Sequence, residues 1–204
     1  ATALRSHRLP AILESALLRE AALSGNGLER AVAARLRPEP IDFTAARSII
    51  LFGPSGSGKS LVAAKIAGAA LQQGRSARIV AGAHGLNPAR DELIIADCEG
   101  FNPRNAKARA AFAALGEVPD AQVIGVLSAL SDAEEISEIM MGFAMRRVIM
   151  TGLDMTRRAG ALAAASLQGA SLVHVTRGAC PGNALENMNA AAMAALLATP
   201  ASAG

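Results

Sequence analysis

Short runs of uninterrupted apolar residues recur along most of the chain, and segments with helical spacing of apolar side chains separate most of them. Strands that are hydrophobic throughout are typical of a parallel sheet with both faces covered. Because such strands alternate here with helices, the sequence predicts an α/β fold in three layers with a mostly parallel sheet. The predicted strands span 48–53, 77–82, 92–97, 121–128, 147–152 and 171–176, and the predicted helices span 59–73, 104–116, 132–145, 157–169 and 184–197.

Two amphipathic segments precede this alternation, at 9–23 and 27–37, and each spaces its apolar residues at three and four. The stretch "PEPIDF" then interrupts the pattern and is predicted to be a linker. We therefore expect an N-terminal helical segment at 1–44, a reduced helical domain, followed by one α/β domain at 45–204.

The amino-acid composition limits the kinds of fold and binding partner that this chain can have. The chain of 204 residues is 51% hydrophobic, so it has enough apolar material for a full core. Its formal net charge is only +3, its arginines are interspersed with acidic residues, and aromatic residues make up 2%, so direct nucleic-acid binding is not expected. Cys98 and Cys180 are far apart and form no CxxC pair, which favours a reducing cytoplasm. No apolar run reaches the length of a membrane span.

The strongest motif is "GPSGSGKS", which lies between the first predicted strand and its helix. Gly53, Gly58, Lys59 and Ser60 match G-x-x-x-x-G-K-[ST], a P-loop, in the required context. Such a loop points successive backbone N–H groups into one concavity that fits a polyphosphate. Lys59 is expected to neutralise the β and γ phosphates, and Ser60 to bind Mg²⁺. The loop residues between them, also predicted to bind the nucleotide, are Pro54, Ser55, Gly56 and Ser57.

Two further strand ends carry carboxylates. "DCEG" places Asp97 and Gly100 as D-x-x-G after a predicted strand, where the carboxylate can hold the Mg²⁺ shell and the glycine N–H can approach a γ phosphate. We predict catalytic roles for Lys59, Asp97 and Gly100 and metal binding by Ser60 and Asp97. Asp154, in "TGLD", is predicted to accept hydrogen bonds from guanine, which offers a pair of donors that adenine lacks.

The order of these motifs resembles the signal-recognition-particle class of GTPases. "GPSGSGKSLVAAKIA" is similar to the first motif of that class through its "AKxA" ending with Lys65, "DCEGFNPRN" resembles the DTAG loop, and "TGLD" resembles the TKLD guanine motif. "RAGALAAASLQGASLVHVTRG" resembles the closing GGAL helix and final strand. "LSALSDAEEISEIMMGF", the turn ending at Gly178, and "ALENM" are most similar to the flagellar (FlhF) subfamily. The resemblance covers about residues 45–197.

The resemblance implies a P-loop NTPase fold that binds GTP and Mg²⁺, with Gly178 in the nucleotide site. It also implies slow GTP hydrolysis, a protein partner in the flagellar or protein-targeting machinery, and peripheral contact with the inner membrane. Two alternatives remain open: a degenerate module that binds nucleotide without hydrolysing it and acts through partners, and an ATP-binding P-loop protein.

Three departures from the family pattern qualify these expectations. Members of the class carry a long insertion, with an Asp and an Arg that assist hydrolysis and pairing, where this chain has only "AHGLNPARD". We therefore expect a monomer or a weak dimer. Gly152 replaces the lysine that covers the base, which keeps ATP as an alternative. Glu99 replaces the DTAG alanine, and we expect its carboxylate to face solvent, because burying an unpaired charge is costly. His174, in an apolar strand, is expected to be a core residue.

Overall fold

The computed structural model describes residues 2–23, 27–182 and 184–201. Within these ranges an α/β fold forms around a sheet with strand order β1-β7-β6-β5-β2-β4-β3, and all neighbouring strands are parallel. The strands are β1 Arg37–Pro38, β2 Ser48–Phe52, β3 Ser76–Ala81, β4 Glu92–Asp97, β5 Ala121–Ser128, β6 Arg147–Thr151 and β7 Ser171–Val175. The helices are α1 Thr2–Ser6, α2 Ala11–Leu23, α3 Gly27–Ala33, α4 Lys59–Gln72, α5 Ala106–Leu115, α6 Ala133–Phe143, α7 Gly160–Ser166 and α8 Ala190–Ala198. The predicted α/β class and parallel sheet are confirmed.

Strand β2 lies in the interior of the sheet, between β5 and β4, and is buried along its whole length. Its register with β4 pairs Leu51 with Asp97, and its register with β5 pairs Phe52 with Gly125. The loop 53–60 therefore starts directly beside the carboxyl end of β4. This alignment brings the P-loop and the D-x-x-G motif together at the carboxyl ends of the strands, as parallel pairing requires.

The two faces of the sheet are covered by different helices. One face packs under α4, and its buried cluster includes Ile49, Leu51, Val62, Ile66 and Ile149. The other face packs under α6, α7, α8 and the N-terminal helices, and its cluster includes Leu17, Phe52, Ile136, Met150 and Leu162. The structure thus has helices on both faces, in agreement with the three predicted layers.

Strand β3 at the sheet edge is much more exposed than the central strands, and Ile79 is 46% exposed. The reason is the short connection 82–91 to β4, which contains no helix. Crossovers between parallel strands usually include a helix that covers the sheet face. Arg47 anchors the end of this connection by donating hydrogen bonds to the carbonyl oxygens of Pro88 and Ala89.

The N-terminal helices pack on the same cluster as α6, α7 and α8. His7 lies at this junction: its Nδ1 accepts from the backbone N–H of Ala159, and its Nε2 donates to the carbonyl oxygen of Thr199. Gly160 allows the close approach, because a Cβ there would lie 2.5 Å from the carbonyl oxygen of Arg8. The division into domains at residue 44 stays a prediction.

Several element boundaries differ from those predicted. The segment 184–189, predicted as the start of a helix, is extended, because Glu186 and Val175 exchange two backbone hydrogen bonds of 2.9 and 3.0 Å. The predicted helix 27–37 ends at Ala33, and Arg37 and Pro38 instead form β1 on the edge of the sheet beside β7. Helix α1 was not predicted. None of the helices in the described ranges has the length and apolarity needed to cross a membrane.

Candidate nucleotide-binding site

The loop 53–60 connects the central strand β2 to helix α4 by a turn that only glycine adopts readily. Gly56 and Gly58 have φ angles of 77° and 92°, in the left-handed region. At Gly53 a Cβ would collide with the carbonyl oxygen of Val126 and lie 2.9 Å from the Oγ of Ser57. The glycine positions of the motif are therefore fixed by backbone conformation and by close packing against the neighbouring strand β5.

Lys59 is the first residue of α4 and is only 7% exposed. Its Nζ donates to the carbonyl oxygens of Gly53 and Pro54 at 3.1 and 2.9 Å, so the ammonium group lies within the curve of the loop. Burial lowers the pKa of Lys59, and the Asp97 carboxylate opposes this shift. A buried cation held by neutral carbonyl groups is a favourable partner for a polyanion.

The two predicted metal ligands are in direct contact. The hydroxyl of Ser60 donates to Oδ2 of Asp97 at 2.6 Å, although the residues are 37 positions apart in sequence. Hydroxyl and carboxylate oxygens are the donor types that Mg²⁺ prefers. No cluster of three or more His, Cys, Asp or Glu side chains occurs among the described residues. The pair therefore fits a metal ion that takes its other oxygens from phosphate and water.

Gly100 packs directly against the P-loop. A Cβ at this position would lie 2.6 Å from the Cα and 2.8 Å from the N of Ser55, and closer still to its Oγ. The next residue, Phe101, donates its backbone N–H to the carbonyl oxygen of Gly53 at 3.4 Å. The D-x-x-G turn thus lies on the first half of the loop. Glu99, between Asp97 and Gly100, is exposed, in agreement with the prediction.

Ser57 has an unusual polar environment. Its Oγ is buried and makes no hydrogen bond within the described chain, while its carbonyl oxygen accepts from Oγ1 of Thr151 at 2.8 Å. A buried hydroxyl without a partner costs free energy unless a ligand satisfies it. Thr151 was not among the predicted site residues, although it is the first residue of the "TGLD" motif that drew attention to Asp154.

The loops that follow β6 and β7 carry the other two residues predicted to bind the nucleotide, Asp154 and Gly178. Asp154 is exposed, and Gly152 has a φ of 73°. The backbone N–H of Leu153 donates to the carbonyl oxygen of Thr176, which ties the loop after β6 to the end of β7. Gly178 ends the next turn with a φ of 65°. Because β6 and β7 are paired in parallel, Asp154 and Gly178 lie beyond the carboxyl ends of the strands, as the P-loop does.

Lys65 connects the helix after the P-loop with the turn after β7. It lies on α4, the helix that begins at Lys59, and is 2% exposed. Its Nζ donates to the carbonyl oxygen of Arg177 at 3.3 Å, next to Gly178. This contact gives the resemblance-based "AKxA" position a structural role: it connects the helix after the P-loop with the turn after β7.

His174 and Cys98 have structural environments. His174 is 5% exposed and its Nε2 accepts from the backbone N–H of Ile41, as expected for a core residue. Burial lowers the pKa of His174. Burial, followed by the charge of Asp97, raises the pKa of the Cys98 thiol, which keeps it protonated.

Solved structures with the same architecture identify the class of fold. No protein-family model matches the sequence, and the search of curated proteins found no match. The chain is similar to the signal recognition particle receptor FtsY from Elizabethkingia anophelis in complex with GDP, with a TM-score of 0.70 and 15% identity over 95% of this chain and 82% of that one. The fold is therefore that of the SRP-type GTPases, which are P-loop proteins.

Within this class, structures of FlhF are similar over nearly the full length of both chains. FlhF complexed with GMPPNP and Mg²⁺ gives a TM-score of 0.74 with 17% identity, over 96% of this chain and 96% of that one. FlhF complexed with GTP and Mg²⁺ gives 0.74 with 16% identity, over 97% and 100%. The predicted resemblance to SRP-type GTPases, and to FlhF among them, is confirmed as a likeness of fold.

Proposed function

We propose that this protein binds guanine nucleotide together with Mg²⁺ and hydrolyses GTP slowly. The observation that carries the proposal is the contact between Ser60 and Asp97, 2.6 Å apart, beside the buried ammonium of Lys59. Lys59 neutralises the phosphates, and Ser60 and Asp97 hold the metal ion, whose charge stabilises the transferred phosphoryl group when bound. The residues proposed to surround the nucleotide are Gly53, Pro54, Ser55, Gly56, Ser57, Gly58, Lys59, Ser60, Asp154 and Gly178.

The orphaned hydroxyl of Ser57 supports a ligand with acceptor oxygens. It is buried in the loop and has no partner among the described residues, so a phosphate oxygen would supply the acceptor that this hydroxyl lacks. The likeness to FlhF structures complexed with GTP or GMPPNP and Mg²⁺ supports the same ligand pair. Asp154 is the proposed acceptor for the guanine nitrogens, and its exposure leaves the carboxylate free to make that contact.

We propose a slow reaction because the connection 82–91 is too short to contain the insertion whose Asp and Arg, by the resemblance, assist hydrolysis. Phosphoryl transfer depends mainly on positioning and on charge stabilisation. The short connection 82–91 holds His84, Asn87, Arg90 and Asp91. It runs from the carboxyl ends of the strands to their amino ends, where Arg47 anchors it. Gly100 is the proposed donor to the γ phosphate. The shortness of this connection also favours a second candidate, a module that binds nucleotide without turning it over and acts through a partner.

We propose that the cellular role of this protein is similar to that of the flagellar subfamily. We propose that the protein is cytoplasmic, that it contacts the inner membrane peripherally, and that it binds a partner in the flagellar or protein-targeting machinery. We propose a monomer or weak dimer, because the short connection 82–91 leaves no room for the insertion with which members of the class pair. Sedimentation velocity with GTP, GDP and no nucleotide tests this, and a tight GTP-dependent dimer contradicts it.

A titration with fluorescently labelled GDP in Mg²⁺ buffer tests nucleotide binding. We expect saturable binding, displacement by GTP and GDP, and weak displacement by ATP. Lys59→Ala should abolish binding, because it removes the cation in the loop. The matched control is Lys107→Ala, which removes the same charge from an exposed site on α5. Equal binding by both variants would contradict the P-loop assignment, and equal displacement by ATP and GTP would contradict the guanine assignment.

Two further variants separate the finer roles. Asp154→Asn should reduce the preference for GTP over ATP, because an amide presents a donor where guanine also presents donors. Asp97→Asn should abolish phosphate release, because it weakens the metal ligand. If wild-type protein binds GTP but releases phosphate no faster than Asp97→Asn, the hydrolytic proposal is wrong and the non-hydrolysing candidate is correct.

A further inference from the structure

A cavity lies beside the candidate nucleotide site and is lined by other residues. It has a volume of about 740 Å³, and its walls come from the turn after α1, the loop after β5, the loop after β6 and the start of α7. Neither a residue of the loop 53–60 nor Asp154 or Gly178 lines it. A volume of about 300–1,000 Å³ is typical of sites for small organic molecules.

Three arginines give this cavity its charge: Arg8, Arg157 and Arg158. All three are exposed, and none makes an ion pair with another residue in the ranges that the structure describes. The carboxylate that lines the same cavity, Asp132, already accepts the backbone N–H of Glu134 at 2.8 Å as the cap of α6. The cavity therefore holds three guanidinium groups and one carboxylate, an excess of positive charge, and no ion pair among the described residues involves the three arginines.

The backbone around the arginines is well defined. Thr156 donates its hydroxyl to the carbonyl oxygen of Arg158 at 3.0 Å and accepts the backbone N–H of Arg158 at 3.2 Å, which closes the turn bearing Arg157. Arg8 has a φ of 54°, a conformation that is strained for a residue other than glycine. It is held there by the neighbouring His7, whose ring accepts from Ala159. The arginines thus lie on or beside segments held by these hydrogen bonds.

The same cavity also has apolar walls. Leu130 and Met155 line it and are 55% and 65% exposed, and Ala129, Ala133 and Ala161 add small apolar surfaces. Guanidinium groups pair with carboxylate or phosphate oxygens through two parallel hydrogen bonds. Apolar walls beside several unpaired guanidinium groups fit a ligand that has both an apolar part and more than one oxyanion group.

We propose that this cavity is a binding site for a small organic anion, whose oxyanion groups pair with Arg8, Arg157 and Arg158 and whose apolar part contacts Leu130 and Met155. The site goes beyond the proposed binding of nucleotide, since it uses different residues. Phosphate esters and polycarboxylates share the required chemistry, and the experiment distinguishes them.

The test uses 8-anilinonaphthalene-1-sulfonate, a fluorescent organic anion, titrated into the full chain with and without GDP. We expect saturable binding in both conditions, weakened at least about tenfold in the double variant Arg157→Gln/Arg158→Gln, because each lost charged hydrogen bond is costly. The control double variant, Arg30→Gln/Arg90→Gln, removes the same charge from exposed sites outside the cavity and should bind like wild type. If the protein fails to bind GDP, the binding of the fluorescent anion should be unaffected. The proposed anion site and the proposed nucleotide site can therefore be refuted separately.

Competition at constant ionic strength identifies the ligand class. Displacement by fructose 1,6-bisphosphate but not citrate supports a phosphate ester, and the reverse supports a polycarboxylate. Displacement by both supports a site that selects for charge and shape. Equal binding by wild type and both double variants, or displacement by neither competitor, would overturn the proposal. All four substituted arginines are exposed, so both double variants should unfold at the same temperature as wild type.

Discussion

Replacing Gly100 by alanine tests how closely the D-x-x-G turn and the P-loop fit together. The added Cβ would lie 2.6 Å from the Cα of Ser55, whereas two carbon atoms in favourable contact are about 3.5–4.0 Å apart. Either the turn or the loop must therefore move by about 1 Å. Two of the three nearest atoms, the Cα and N of Ser55, belong to the backbone, so rotation of the Ser55 side chain alone cannot relieve the clash. Overpacking of this kind costs about 1–3 kcal/mol.

The expected result is a loss of both stability and nucleotide affinity. Urea denaturation should show a lower midpoint with an unchanged m-value, and labelled GDP should bind about 5- to 150-fold more weakly if the whole 1–3 kcal/mol falls on the binding-competent loop. GDP is the informative ligand, because loss of a contact to the γ phosphate alone would leave GDP affinity unchanged.

Gly68→Ala is the matched control for this substitution. Gly68 lies within α4, and a Cβ there would have no atom within 4 Å. Alanine should therefore stabilise the helix by about 0.5–1 kcal/mol without changing the P-loop. If Gly100→Ala is as stable as wild type and binds GDP equally well, the close packing of the turn on the P-loop is refuted.

Three other substitutions test separate contacts. Thr151→Val leaves the carbonyl oxygen of Ser57 without its buried partner and should destabilise the protein by about 1–3 kcal/mol and weaken GDP binding, whereas Thr151→Ser should retain both in thermal unfolding and titration. Gly152→Lys, the family residue, must adopt a φ of 73°, so it should lower the melting temperature by roughly 2–8 °C in calorimetry, and an unchanged value would refute the strain. Because burial lowers the pKa of His174 below its ordinary 6.5, the unfolded chain takes up that proton first, and unfolding free energy should fall as pH drops below 6.5. His174→Gln should reduce this fall between about pH 7 and pH 5, and identical pH profiles would show that His174 is not its source.

The sequence was sufficient for features that local chemistry determines. Gly56 and Gly58 have positive φ angles that the motif requires, and the uninterrupted apolar runs correspond to buried strands such as β2 and β6. The D-x-x-G carboxylate could be placed beside the P-loop because parallel strands end at one edge of the sheet. Parallel register then brings Asp97 to Ser60, 37 positions away.

Features that depend on contacts distant in sequence were not predictable. The segment 184–189 has apolar spacing compatible with a helix, but its hydrogen bonds to Val175 hold it extended. Strand β1 has two residues and no periodicity of its own, and it exists because β7 offers a free edge. The buried partners of Thr151 and His7 come from other elements, so neither contact leaves a pattern in the neighbouring sequence.

The contacts of His7 imply that the N-terminal helices influence the proposed base end of the site. The ring of His7 accepts the backbone N–H of Ala159, the residue just before α7, and donates to Thr199 just after α8. Ala159 ends the loop that begins at Gly152 and carries Asp154, and Leu153 in that loop is hydrogen-bonded to Thr176. The loop is therefore fixed at one end by the sheet and at the other by the N-terminal segment. A displacement of α1 must move the His7–Ala159 contact. The position of Asp154 therefore depends on the packing of the N-terminal helices, whereas, among the described residues, those of the P-loop make no such contact with His7.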